Sequence, residues 1–348
     1  MRNASCRIRF YAVCEHAHQP MSPSIASFQF RMASSSRTIA ELEDHLSRSV
    51  WRQSKARKSK IVRLVSGIVF DLECVVRGLR PGTLLNSLPF PGTHDTHDTH
   101  DTHDMLGALR ALIDQMAREY RGSCSHAIRI LNSDDCLLVV DTQTLAAGWP
   151  MPRGIRFADD VVRWMDGSEQ SNLERQLKAL AALLAENAPQ DLETRLHHAG
   201  IAVSLPTVYG YVLGYPCTYE ILSREHAAIV SRWLSSATLV FYHCRVRRGE
   251  PDNDALPVLL TFSVPRQLVD VADLSGSERG ERGERGEQSE QSERGEQSEW
   301  KRWLRAWRAE MMARARASRP LAAHGHASLF CTELVFDTQV RAHQGIVI

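Results

Sequence analysis

AIRILNSDDCLLVVD, residues 127–141, decides the fold class. Two short runs of aliphatic and β-branched residues, Ala127 to Leu131 and Leu137 to Asp141, flank the turn-forming Asn132-Ser133-Asp134-Asp135. Runs of that length with that punctuation read as two strands and a turn. The link is too short for a crossover helix, so these two strands run antiparallel. Thr238 to Val246 and Pro257 to Val264 repeat the pattern around the polar RRGEPDND loop. Residues 203–213 and 217–222 also read as strands, placed around Gly214-Tyr215-Pro216, and Leu329 to Phe336 as a last one.

Helical periods lie between these runs. Ile61, Leu64, Val65, Ile68, Val69 and Leu72 fall on one stripe, which Gly78 and Pro81 end. Leu106 to Tyr120, Leu173 to Glu186 and Trp300 to Ala317 carry the same period, and a shorter pattern starts at Thr38 with acidic residues near its beginning. Interleaved helices and strands, with several short strand links, predict a single α/β domain over residues 39–348. Its expected core is a mixed β-sheet with packed helices.

Two stretches interrupt that domain. Residues 93–104 are THD repeated four times, and 277–299 are built from ERG and EQS triplets with Glu at every third position from Glu278. They read as low-complexity inserts at 91–104 and 275–299, disordered and tolerated because a longer loop costs little closure entropy. Glycine in the second weakens any helix there. Residues 1–38 read as a disordered leader, or as sequence upstream of a start at Met32.

Composition narrows the function classes. The 348 residues are 43% apolar and carry a net charge of +1, which suits a folded domain and not a polybasic or acidic coat. The balance is uneven: residues 1–63 hold 12 basic and 4 acidic side chains. Eight scattered cysteines without Cys-x-x-Cys read as reduced thiols, pointing to the cytoplasm or nucleus ahead of the mitochondrion. No membrane span is expected: the longest uncharged stretch, 201–219, carries two prolines and two glycines.

Each candidate constellation has a plain alternative. His94, His97, His100 and His103 offer imidazoles beside carboxylates, but a flexible repeat gives no fixed outer hydrogen bonds, so any metal there is adventitious. Cys6, Cys14, His16 and His18 fit no zinc-finger spacing. No cofactor motif and no local catalytic motif is present. Trp300, Trp303, Leu304, Trp307, Met311 and Ala315 form one face of the last helix and read as core. Lys301, Arg302, Arg305 and Arg308 are left as a basic surface for an unidentified protein partner. A non-enzymatic interaction protein is therefore the leading expectation. One alternative is an enzyme or small-ligand binder with a pocket at strand ends near Asp134, Asp141 and Tyr209. Another is nucleic-acid association through basic residues 48–63, which include KARKSK.

GIVFDLECVVRGLRPGTLL (67–85), LPTVYGYVLGYPCTYEI (205–221) and LLTFSVPRQL (259–268), with WLRAWRAEMMARARA and the closing strand, resemble one family. It is an open-reading-frame family of vertebrates whose members carry a domain of unknown function. The resemblance spans roughly residues 61–348 and implies a soluble, intracellular α/β protein. It brings no activity, cofactor or catalytic residue, and it places an apolar residue where this chain has Cys217.

Overall fold

The computed structural model describes residues 39–44, 58–85, 99–121, 127–133, 136–158, 161–186, 192–247, 257–269, 290–317 and 333–341. Residues 39–44 are helical. The order then runs α1 (Lys58–Val76), β1 (Gly82–Leu85), α2 (Thr99–Arg121), β2 (Ile128–Ser133), β3 (Cys136–Asp141), α3 (Thr142–Ala146), β4 (Arg153–Ala158) and β5 (Val161–Trp164). It continues with α4 (Gly167–Ala185), α5 (Leu192–His198), α6 (Leu205–Val212), β6 (Cys217–Tyr219), α7 (Arg224–Ser236), β7 (Leu239–Arg247), β8 (Val258–Pro265), α8 (Glu290–Ala317) and β9 (Glu333–Arg341).

Helices and strands interleave as an α/β chain, but the strands divide among three small sheets. The first, β1-β3-β2, is antiparallel, with Gly82 opposite Val140 and Ile130 opposite Val139. The hairpin read at 127–141 is present. The second, β5-β4-β6, is mixed: β4 runs antiparallel to β5 and parallel to β6. The third, β8-β7-β9, is antiparallel, with His243 opposite both Thr261 and Asp337. Only the second sheet holds the long crossover that parallel pairing demands, through α4, α5 and α6.

β3 joins the interior. Leu137 and Val139 enter a cluster with α1 and α2, while Leu138 and Val140 enter a larger cluster with the other sheets. A strand covered on both faces is apolar at every position, which is why this one shows no alternation.

The stretch 205–212, expected as a strand, is helix α6. Pro206 sits in its first turn, where a missing N–H costs nothing. Thr207 to Val212 are all buried, and an element apolar on every side has no period to read. Gly210 lets the helix approach β6: a Cβ there would stand 2.8 Å from Thr218 Oγ1. Helices α5 and α7 and strands β1, β4 and β5 are further elements the patterns left unassigned. The last strand lies later than expected, at Glu333–Arg341.

Helices α2 and α8 reach back into the two triplet inserts, to Thr99 and Glu290. Once a nucleus exists, adding a residue costs little, and only Gly295 interrupts the helical part of the second insert. The leader, His94 and His97 lie outside the described residues, as do the side chains of His100 and His103.

Candidate functional site

The tryptophan face of α8 is core. Trp300 stacks on Trp164 at 4.8 Å between ring centroids, and Trp307 meets Phe262 and Phe336 edge-on. The indole N–H groups are also engaged. Trp303 Nε1 donates to Pro216 O at 3.1 Å, and Trp307 Nε1 donates to Gly214 O at 3.2 Å. The Gly-Tyr-Pro turn is thus held by the helix that covers it. Gly214 has φ +82°, and a Cβ there would lie 2.7 Å from the Trp149 ring.

α8 is also tied down at Glu299, ten residues into the helix and the final glutamate of the second triplet stretch. Glu299 pairs with Arg153 at 3.0 Å, and the Arg153 guanidinium lies over the Trp164 ring.

Several arginines have carboxylate partners. Arg77 pairs with Glu73 and Arg80 with Asp71. Arg121 pairs with Asp141, and Arg245 with Asp337 at 2.8 Å. Arg156 and Arg163 share Glu169, and Arg156 also grips Glu220. Hydrogen bonds from Arg163 lead the effects that hold the Glu169 carboxyl down, to about 2.

The four basic residues expected as a surface do not share one environment. Arg302 and Arg305 are exposed, with no ion pair among the described residues, whereas Lys301 is half-buried. Arg308 is also half-buried: its guanidinium lies over the Phe336 ring of β9 at 5.2 Å, and burial lowers its proton affinity. Residues 301, 305, 308 and 312 succeed one another at four- and three-residue steps, so Arg305 shares the flank that Arg308 turns toward β9.

Among the described residues β9 is an edge strand of the third sheet. Leu334, Phe336, Thr338 and Val340 share a face with Val246, Cys244, Tyr242 and Val240 of β7, the face that α8 covers. Val340 is 44% exposed. The opposite face carries Arg245 with Asp337, and His243 Nδ1 within 3.0 Å of Thr261 Oγ1. This polar row was not foreseen. Its signal is the period-two pattern of ELVFDTQVR, which continues past Phe336, where the strand was expected to stop.

The residues proposed for a strand-end pocket are not brought together. Asp141 is fully buried; its carboxylate accepts from Gln143 N and Thr144 N to cap α3, besides pairing with Arg121. Tyr209 belongs to α6, and its hydroxyl is 3.9 Å from Cys136 Sγ, at the other end of β3. Five residue steps along a strand separate the two ends by about 17 Å. Asp134 lies outside the described residues, and so does most of the basic segment 48–63.

The described thiols are buried or half-buried, and no disulfide forms among the described residues. Burial pushes Cys74 up to about 12 and raises Cys217 and Cys244 as well, so these sulfurs are protonated core groups. Among the described residues no three His, Cys, Asp or Glu side chains converge as metal ligands, and no helix is long and apolar enough to cross a membrane.

Residues 159–279 match the family model described as Domain of unknown function (DUF4504). That span runs from the residues between β4 and β5 past β8 and agrees with the domain-of-unknown-function resemblance; α8 and β9 lie C-terminal to it. No curated protein and no solved structure matches the chain.

Proposed function

We propose that the chain is a non-enzymatic protein-binding module that recognises an acidic partner through the exposed face of α8. One observation carries this reading. Arg302 and Arg305 stand exposed without an ion pair among the described residues, on a helix whose opposite face is anchored by three tryptophans. Rigid backing lowers the ordering cost of binding, and unpaired guanidinium groups are suited to carboxylates. Lys301 and Arg308 flank that face, the first half-buried and the second resting on Phe336. Free buried thiols suit a reducing compartment, so we assign the protein to the cytoplasm or nucleus.

The test starts with capture of a partner by the full chain, followed by measurement with the purified pair. Arg302→Glu with Arg305→Glu should lower affinity at least tenfold at unchanged melting temperature, and rising salt should weaken the wild-type complex. Arg175→Glu, on the exposed side of α4, serves as the control and should change nothing. Equal affinity of the doubly reversed chain would overturn the assignment.

A further inference from the structure

We infer that β9 receives an extended acidic segment of another protein as an added strand, with carboxylates at alternate positions meeting the Arg305–Arg308 flank of α8. The inference rests on the binding role proposed above and names its partner class.

Three observations lead to it. First, among the described residues the sheet order β8-β7-β9 leaves β9 at an edge, and over nine residues it is long for such a position. Edge strands display backbone groups that template a further strand. Second, α8 packs on the sheet beside that edge: Arg308 lies over Phe336 of β9, with Arg305 one turn away along the helix. A strand laid outside β9 would place every second side chain on the side of the sheet that α8 covers, where Arg305 is exposed. Third, that side of β9 offers no acid of its own. Leu334, Phe336, Thr338 and Val340 are apolar or neutral, while Asp337 points the other way and is paired with Arg245. Among the described residues Arg305 has no ion pair and is left for the incoming segment, and exposed Val340 offers that segment an apolar contact. Strand addition of this kind draws affinity from main-chain hydrogen bonds and specificity from alternate side chains.

The same geometry disfavours two nearer occupants. A second copy paired antiparallel along all nine residues would set Asp337 opposite Asp337 and bring no carboxylate under α8. The glutamates at 278–299 recur every third residue, so in a strand they would alternate between faces instead of lining one.

The probe is a fluorescein-labelled eight-residue peptide alternating glutamate with valine or threonine, titrated against the full chain by anisotropy. It should bind at least tenfold more tightly than its lysine counterpart. Arg305→Glu should weaken it at least fivefold without changing the melting temperature. A version N-methylated on alternate amides, which cannot complete the ladder, should lose at least tenfold on the unaltered protein. Equal binding of the methylated peptide would overturn strand addition and leave the basic-face reading intact. The inference also falls if the glutamate peptide fails to bind, or binds no better than the lysine one. In that case, partner capture that is still lost on reversal of Arg302 and Arg305 would show that the broader reading survives. A stable dimer of the chain that excludes the peptide would assign the edge to a second copy and refute the inference.

Discussion

The two apolar clusters are built on different terms. The one between α1, α2 and the first sheet buries aliphatic side chains, alanine and methionine, such as Leu72, Leu109, Leu112 and Met116. The larger one buries Trp149, Trp164, Tyr242, Phe262, Trp300 and Trp307, with aromatic rings meeting across α8 and the third sheet. Aliphatic contacts are non-directional, so the first cluster asks mainly for volume and period. Indoles need a partner for the N–H and a defined ring geometry, so the second asks for positions that distant segments supply.

Substitution should separate the two. The largest effect is expected at Trp307→Ala, which empties an indole site and leaves Gly214 O without its donor. About 3–5 kcal/mol should be lost, read as a fall in the urea midpoint. Leu112→Met in the aliphatic cluster, nearly equal in volume, should cost under about 1.5 kcal/mol. Equal costs would erase the distinction.

Glycines sharpen the contrast, because the same change should have opposite signs. Gly214→Ala forces an L side chain into φ +82° and against Trp149 and Pro81. The cost should be about 2–4 kcal/mol, from the left-handed conformation and overpacking together. Gly107 sits inside α2, and a Cβ there would meet nothing within 4 Å. Gly107→Ala should add about 0.5–1 kcal/mol, seen as a higher melting temperature.

The smallest effect belongs to the polar belt of the larger region. Asp166 caps α4 and Glu169 returns the bond in a capping box, while Arg163 and Arg156 hold the Glu169 carboxylate. Its proton affinity in the fold lies below the ordinary carboxylate value of 4.5, at about 2. The stabilisation is therefore complete above about pH 4.5 and is lost as pH falls through about 2. Glu169→Gln should lower the melting temperature slightly at neutral pH and flatten its decline in acid. An unchanged acid profile would remove Glu169 from the account.

Much of the aliphatic region was legible. The stripe from Ile61 to Leu72, the stop at Gly78 and Pro81 and the 127–141 hairpin all rest on local period and turn chemistry. The tryptophan stripe was legible as core for the same reason. The basic surface was legible in part: Arg302 and Arg305 are exposed, but Arg308 turned inward when β9 brought Phe336 beneath it. Asp141 reads in the sequence as a candidate acid, yet the fold uses it as a helix cap and an arginine partner.

By itself, then, the sequence determined which segments carry a burial face and which turns break them, since both follow from neighbours a few residues apart. Tertiary structure alone decided that the described strands split into three sheets, that 205–212 is a helix, and that β9 lies beneath Arg308 of α8. The reason is range. A strand's partner, a fully buried segment's conformation and a cation's neighbour are fixed by contacts between residues far apart in the chain, and a linear period holds no record of them.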